Sequence, residues 1–71
     1  MRRATQATNV YALVGKKGTV IEPISPDQPG YVKIQGEQWL ARSIAPAPLP
    51  QGCKIMVIDV RGAHLIVDQT D

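Results

Sequence analysis

Two stretches of this chain each consist of an alternating apolar run, a glycine and a second apolar run. The first spans residues 30–41 and contains Gly36, and the second spans residues 52–67 and contains Gly62. An alternation with a period of two places every second side chain on one face of a pleated strand. A glycine between two such runs lets the chain reverse where a larger residue would be strained. Each stretch therefore predicts a β-hairpin with one buried face.

The alternation also indicates which side chains form the core. The residues that we expect to face inward are Val32, Ile34, Trp39, Ala41, Ile55, Val57, Val60, Leu65 and Val67. One step breaks the period, because Val60 follows Val57 by three positions. A β-bulge near Ile58 and Asp59 would accommodate the extra residue and let the strand bend around a barrel.

The remainder of the chain supplies one more strand and a long connector. A strand is predicted from Gly18 to Ile24, with Pro23 near its end because proline cannot donate to a ladder. Residues 45–52 contain three prolines, which exclude a helix or a central strand, and Leu49 is the residue that anchors them to the core. We therefore predict an all-β, five-stranded OB-fold-like β-barrel. An SH3-like barrel has similar strands and stays open as an alternative.

The composition offers little material for catalysis. The chain has 71 residues, one cysteine (Cys53) and one histidine (His64). A single histidine without a cysteine pair does not make a metal site, and we expect His64 to point to solvent at its hairpin. No nucleophile stands beside a base and an orienting partner in any recognisable pattern. The prediction is a domain without catalytic residues, cofactor or metal, and hence not an enzyme.

Charge and aromatic residues bear on nucleic-acid binding. The net charge is +2, and the eight basic residues are scattered along the sequence apart from two doublets, so no stripe for a phosphate backbone stands out. The pattern assigns Trp39 to the core, which leaves Tyr31 as the candidate for base stacking on the second and third strands. Binding of single-stranded nucleic acid is kept as the alternative function.

Several large apolar residues have the parity of the outer face. They are Ile21, Leu40, Ile44, Met56, Ile58 and Ile66. Exposed apolar clusters mark interaction sites, and methionine suits an adaptable contact. We predict protein docking at Met56, Ile58, Ile66 and Tyr31. The competing interpretation is that the apolar segment of residues 10–14 covers part of this face.

The ordered series of these motifs is similar to the soluble C-terminal domain of NfeD-like proteins. It runs from Gly15-x-x-Gly18 through Gly36-Glu-x-Trp39 to Leu65-x-Val67, over about residues 13–68. The resemblance implies an OB-type barrel that follows membrane-spanning helices and partners a stomatin- or flotillin-like membrane protein, or self-associates. Some long members also carry a serine protease domain, which this chain does not contain. The loop from Ser25 to Gly30 looks longer than the family's usual turn.

The resemblance also implies how the chain divides into a linker and a domain. Residues 1–12 are interpreted as a linker and residues 13–69 as the barrel domain. In the full-length protein we expect a membrane anchor upstream of this chain and the domain on the cytoplasmic side. Arg2 and Arg3 agree with that side, because basic flanks favour the cytoplasm. The predicted function is a non-enzymatic interaction domain that docks onto a stomatin- or flotillin-like membrane protein.

Overall fold

The computed structural model describes residues 10–70, which form five β-strands and one short 3₁₀ turn. The strands are β1 (Lys17–Glu22), β2 (Gly30–Ile34), β3 (Glu37–Ser43), β4 (Lys54–Arg61) and β5 (His64–Gln69). The 3₁₀ turn covers residues 10–13. The predicted linker, residues 1–12, falls largely on residues 1–9, which lie outside the described residues.

The strands close into a barrel in the order β1-β2-β3-β5-β4, with β4 paired back to β1. Three antiparallel pairings join consecutive strands, namely β1 with β2, β2 with β3 and β4 with β5. Closure depends on two contacts between distant segments, the antiparallel pair β1–β4 and the parallel pair β3–β5. The prediction of an all-β, five-stranded OB-fold-like barrel is confirmed, and closure pairs the strand edges that an open sheet would expose.

The core lies inside the barrel and is entirely apolar. Of the nine residues that the alternation assigned to the inner face, eight are buried, and Trp39 is half-buried and packs against them. Two residues from β1 and its loop and one from the connector complete the core. The full buried set is Val20, Ile24, Val32, Ile34, Ala41, Leu49, Ile55, Val57, Val60, Leu65 and Val67.

The predicted β-bulge in β4 is confirmed. Val57 pairs with Val67 and Asp59 pairs with Ile66, so Ile58 is the extra residue. Val57 and Val60 are both buried, whereas Ile58 is 39 % exposed. The bulge therefore keeps the apolar spacing of the core while it projects an isoleucine outward.

Leu49 anchors the proline-rich connector to the core of the barrel. Leu49 is buried, and its backbone exchanges two hydrogen bonds with that of Ile24, at 2.7 and 3.0 Å. The prediction that Leu49 anchors this segment is confirmed. The predicted first strand is too long, because β1 ends at Glu22, directly before Pro23, and Ile24 pairs with the connector instead.

The turn of residues 10–13 closes one end of the barrel. Val10 and Leu13 pack against the core. The following residues extend the pairing with β4, since the Gly15 amide donates to the Val57 carbonyl at 2.7 Å and the Val57 amide donates to the Lys16 carbonyl at 2.9 Å. This segment therefore packs at the end of the barrel that carries the β4–β5 hairpin.

Candidate protein-docking surface

Three of the four predicted docking residues lie on the outer face of two neighbouring strands. Met56 and Ile58 belong to β4 and Ile66 to β5. Ile66 lies opposite Asp59, the residue next to Ile58, and Met56 lies opposite Asp68. Ile58 is 39 % exposed, while Met56 and Ile66 are half-buried. We refer to Met56, Ile58 and Ile66 as the β4–β5 patch.

The apolar surface continues from the β4–β5 patch onto β3. Arg42 of β3 lies opposite Ile66 in the parallel pairing. Leu40 and Ile44 lie two positions to either side of Arg42 and share its outward parity. Leu40 is half-buried and Ile44 is 57 % exposed. Apolar side chains from three adjacent strands therefore share one side of the barrel.

Tyr31 is not part of the β4–β5 patch. It lies on β2, opposite Leu40 of β3, and is 40 % exposed. In the closed barrel β1 lies between β2 and β4, and there Tyr31 pairs with Glu22 whereas Met56 pairs with Lys17, five residues away on β1. The structure therefore brings three of the predicted docking residues together and places Tyr31 at the far side of Leu40.

Charged groups border the β4–β5 patch at the bulge. The Asp59 carboxylate accepts the Val60 amide hydrogen at 2.8 Å and lies 3.3 Å from the Arg61 guanidinium. The hydrogen bond from the Val60 amide lowers the pKa of the Asp59 carboxyl, and Arg61 lowers it further. A charged rim around an apolar centre is the usual anatomy of a protein interface.

A pocket of about 200 Å³ opens at the barrel end. It is lined by Val10, Trp39, Val60, Gly62, Ala63, His64 and Leu65. His64, expected at the solvent side of its hairpin, is instead half-buried against this pocket. The sequence pattern did not predict this burial. Alternation indicates which face of a strand a side chain lies on, but not which residues from other segments pack against the end of that strand.

The position of Trp39 argues against base stacking. Its indole lines the end pocket and packs on the core, and its Nε1 is buried without a hydrogen-bond partner in the described part of the chain. Among the aromatic residues of β2 and β3, only Tyr31 is exposed. One aromatic makes a poor platform for successive bases, so nucleic-acid binding is not favoured.

The titratable and nucleophilic side chains do not assemble into a reactive centre within residues 10–70. No group of three or more His, Cys, Asp or Glu residues in that range is placed to hold a metal ion. Cys53 is half-buried, packs against the core, and its Sγ contacts the Lys54 carbonyl oxygen at 3.6 Å. Its environment is that of a small apolar residue rather than of an activated thiol.

The structure gathers basic residues that look scattered in the sequence. Thr19 of β1 lies opposite Lys33 of β2 on one side and Lys54 of β4 on the other. These lysines are scattered along the sequence, but the strand register brings them together on one face. Residues 17 and 19 share a face by parity, but the approach of Lys33 and Lys54 depends on strand pairing that local patterns do not encode.

No helix within residues 10–70 is long and apolar enough to cross a bilayer. The described residues combine an apolar outer surface that has a charged rim with a group of lysines beside it.

Comparison with known proteins places this barrel in a family. The family model described as NfeD-like C-terminal, partner-binding domain matches residues 10–69. The C-terminal domain of stomatin operon partner protein 1510-C from Pyrococcus horikoshii has a similar structure, with a TM-score of 0.78 and 36 % identity over 86 % of this chain and 92 % of that one.

Two further solved structures resemble this chain. One is the soluble domain of a membrane protein implicated in regulation of membrane protease activity from Corynebacterium glutamicum, with a TM-score of 0.73 and 36 % identity over 80 % of this chain and 90 % of that one. The other is the soluble domain of the NfeD protein YuaF from Bacillus subtilis, with a TM-score of 0.73 over 93 % of this chain and 81 % of that one. The latter shares 24 % identity and supports the fold alone.

A longer curated protein also matches. Membrane-bound protease PH1510 of Pyrococcus horikoshii is 40 % identical over 55 residues, which are 78 % of this chain and 12 % of that protein. This chain therefore spans about an eighth of the length of that relative, and the resemblance predicted from the motifs is confirmed. The chain belongs to the NfeD family, as an NfeD-like C-terminal, partner-binding domain.

Proposed function

We propose that this chain is a non-enzymatic docking domain of a membrane-anchored protein and that it binds a stomatin-like membrane protein. The family is defined by partner binding, and one structural relative is described as a stomatin operon partner. The relative described as a protease is about eight times longer than the matched segment, and its activity is not transferred to this chain. Residues 10–70 offer binding surfaces and no set of groups placed for hydrolysis.

The β4–β5 patch is the surface that we assign to docking. The observation that carries the assignment is the bulge, which projects Ile58 outward between the half-buried Met56 and Ile66. Burial of this apolar area against a partner is favourable by about 25 cal/mol per Å². The Asp59–Arg61 pair at its rim adds orientation rather than affinity, because exposed ion pairs contribute little.

The side of the membrane is a separate proposal. We propose that the domain lies on the cytoplasmic side, next to an upstream membrane anchor, in agreement with the basic residues Arg2 and Arg3. Protease treatment of sealed cells that express the full-length protein with a C-terminal epitope tag tests this. The tag should be protected until the membrane is opened, and digestion in intact cells would contradict the cytoplasmic placement.

Two single variants test the docking assignment, each with the same added positive charge at a different position. Ile58→Lys puts an ammonium group at the exposed centre of the β4–β5 patch. Gln38→Lys adds the same charge on β3, at an exposed position opposite Lys33 and away from the patch. Each variant is immobilised on a sensor surface, and its affinity for a stomatin-like protein from the same genome is measured by titration.

We expect Ile58→Lys to weaken binding by at least about 30-fold, the loss that is typical of a central interface residue. Gln38→Lys should bind like the unmodified chain, and far-UV circular dichroism should show that both variants are folded. Equal affinity for Ile58→Lys and Gln38→Lys would contradict the assignment of the β4–β5 patch.

A further inference from the structure

Three lysines surround one threonine on the outer face of β1 and its two neighbours. Lys33 of β2 and Lys54 of β4 lie opposite Thr19 on either side. Lys17 lies two residues before Thr19 on β1 and therefore has the same parity. All three lysines are exposed and Thr19 is half-buried. We refer to Lys17, Lys33, Lys54 and Thr19 as the lysine face.

Strand geometry places these charges close together. Residues directly opposite each other on paired strands have Cα atoms about 4.5–5.5 Å apart, and residues two apart on one strand are about 7 Å apart. Lys33 and Lys54 therefore lie one strand spacing from Thr19, and Lys17 lies two residues from it along β1. Lys33 and Lys54 flank Thr19 and are two strand spacings, about 10 Å, apart. Their like charges, together with that of Lys17, favour the binding of an anionic partner.

The lysine face is not neutralised within the described residues. The ion pair found in residues 10–70 joins Asp59 and Arg61, and none of the three lysines has a carboxylate within 4 Å there. Lys54, Thr19 and Lys33 form a row of laterally paired residues across three strands. This row continues to the uncharged Gln38, which lies opposite Lys33. Acidic side chains lie beyond this group: Glu22 is opposite Tyr31, and Asp68 is opposite Met56, which is the β4 partner of Lys17.

We propose that the lysine face rests on the anionic headgroups of a lipid bilayer. One relative is the soluble domain of a membrane protein, and another is described as a membrane-bound protease. The inference rests on the proposed membrane anchor, which brings an anionic lipid surface within reach of the folded barrel. Basic side chains near such a surface are attracted to it over about one Debye length. The Thr19 hydroxyl at the centre can donate a hydrogen bond to a phosphate oxygen.

The same observations disfavour nucleic acid as the occupant. Phosphate groups of a single strand would suit the lysines, but a strand also needs aromatic side chains for its bases. Thr19, Gln38 and the three lysines provide none, and Tyr31 lies in the next row beside Glu22. A headgroup layer requires only the charges, which is what the lysine face offers.

This orientation is independent of the proposed docking and compatible with it. Lys54 and Met56 lie two positions apart on β4 and share its outer face. When the lysine face is turned toward the bilayer, the curvature of the barrel directs the β4–β5 patch sideways, parallel to the membrane. A membrane-resident partner would approach from that direction.

The test compares two double variants of equal net charge. Lys33→Gln with Lys54→Gln removes two charges from the lysine face, and Arg42→Gln with Arg61→Gln removes two charges from β3 and β4 outside it. Each 71-residue variant is sedimented at low salt with phosphatidylcholine vesicles that contain or lack phosphatidylglycerol. Ile58→Ser, which alters the β4–β5 patch without a change of charge, is included to separate lipid binding from docking.

We expect the unmodified chain to bind only the vesicles with phosphatidylglycerol and to dissociate as salt is raised. The double lysine variant should lose about 25-fold in partitioning, from about 5-fold per lysine, while the double arginine variant and Ile58→Ser keep most of it. Equal losses in the two double variants would overturn the proposal, as would binding to pure phosphatidylcholine. Lysine-dependent binding of a single-stranded oligonucleotide without vesicle binding would also overturn it.

Discussion

Replacement of Leu49 by alanine should remove most of the stability of this domain. Leu49 is 2 % exposed and holds the connector to the barrel through its side chain and through two backbone hydrogen bonds with Ile24. A buried leucine truncated to alanine costs about 3 kcal/mol, from lost transfer free energy and from the cavity left behind. A domain of this size has a free energy of unfolding of about 3–5 kcal/mol. Leu49→Ala should therefore unfold near room temperature.

The assay is thermal and urea unfolding followed by circular dichroism and by the fluorescence of Trp39. A loss of about 3 kcal/mol corresponds to a fall in Tm of about 12–24 °C for a domain of this length. Ile44→Ala is the matched control, because Ile44 precedes the connector and is 57 % exposed. It should cost under about 0.5 kcal/mol. A loss below about 1 kcal/mol for Leu49→Ala would refute the claim that this residue packs into the core.

Two further predictions concern the hairpins. An NMR titration should give the Asp59 carboxyl a pKa below its ordinary value, and Arg61→Gln should raise this pKa only part of the way, because the Val60 amide is the larger cause. Since the folded-state pKa is lowered, the stabilisation by Asp59 is present above the unfolded-state pKa and is lost as pH falls through the folded-state pKa; an unshifted titration would contradict the hydrogen bond. Gly36 has a φ of +86° with open space around it, so Gly36→Ala should cost about 1–2 kcal/mol by urea unfolding. D-alanine in a synthetic chain should cost less than L-alanine, and equal losses would point to a cause other than backbone conformation.

Local patterns predicted the parts of this fold that depend on neighbouring residues. The alternation of Val32 and Ile34 gives the buried face of β2, because parity is a property of a single strand. The three-residue step from Val57 to Val60 gives the bulge, since both side chains must remain inside. Pro23 marks the end of β1 through its missing amide hydrogen.

Features that depend on distant contacts were missed or predicted only in part. The half-buried state of Trp39 and His64 follows from the barrel end and from the turn that begins at Val10, which strand parity does not describe. The lysine face follows from the register of β1 with β2 and β4, and only the first of these pairings is between consecutive strands. Of the predicted docking residues, Tyr31 lies apart from the β4–β5 patch because β3 lies between β2 and β5, and β1 lies between β2 and β4.

The central claim is that the domain binds its partner through the β4–β5 patch. The most direct measurement is an NMR titration of the ¹⁵N- and methyl-labelled chain with a stomatin-like membrane protein in detergent or nanodiscs. We predict that the largest perturbations fall on the methyl groups of Met56, Ile58 and Ile66. Smaller changes are expected at Leu40 on β3 and at Ile44, which directly follows β3. Perturbations confined to β1 and β2, around Thr19 and Lys33, or an absence of any perturbation at saturating partner, would contradict the claim.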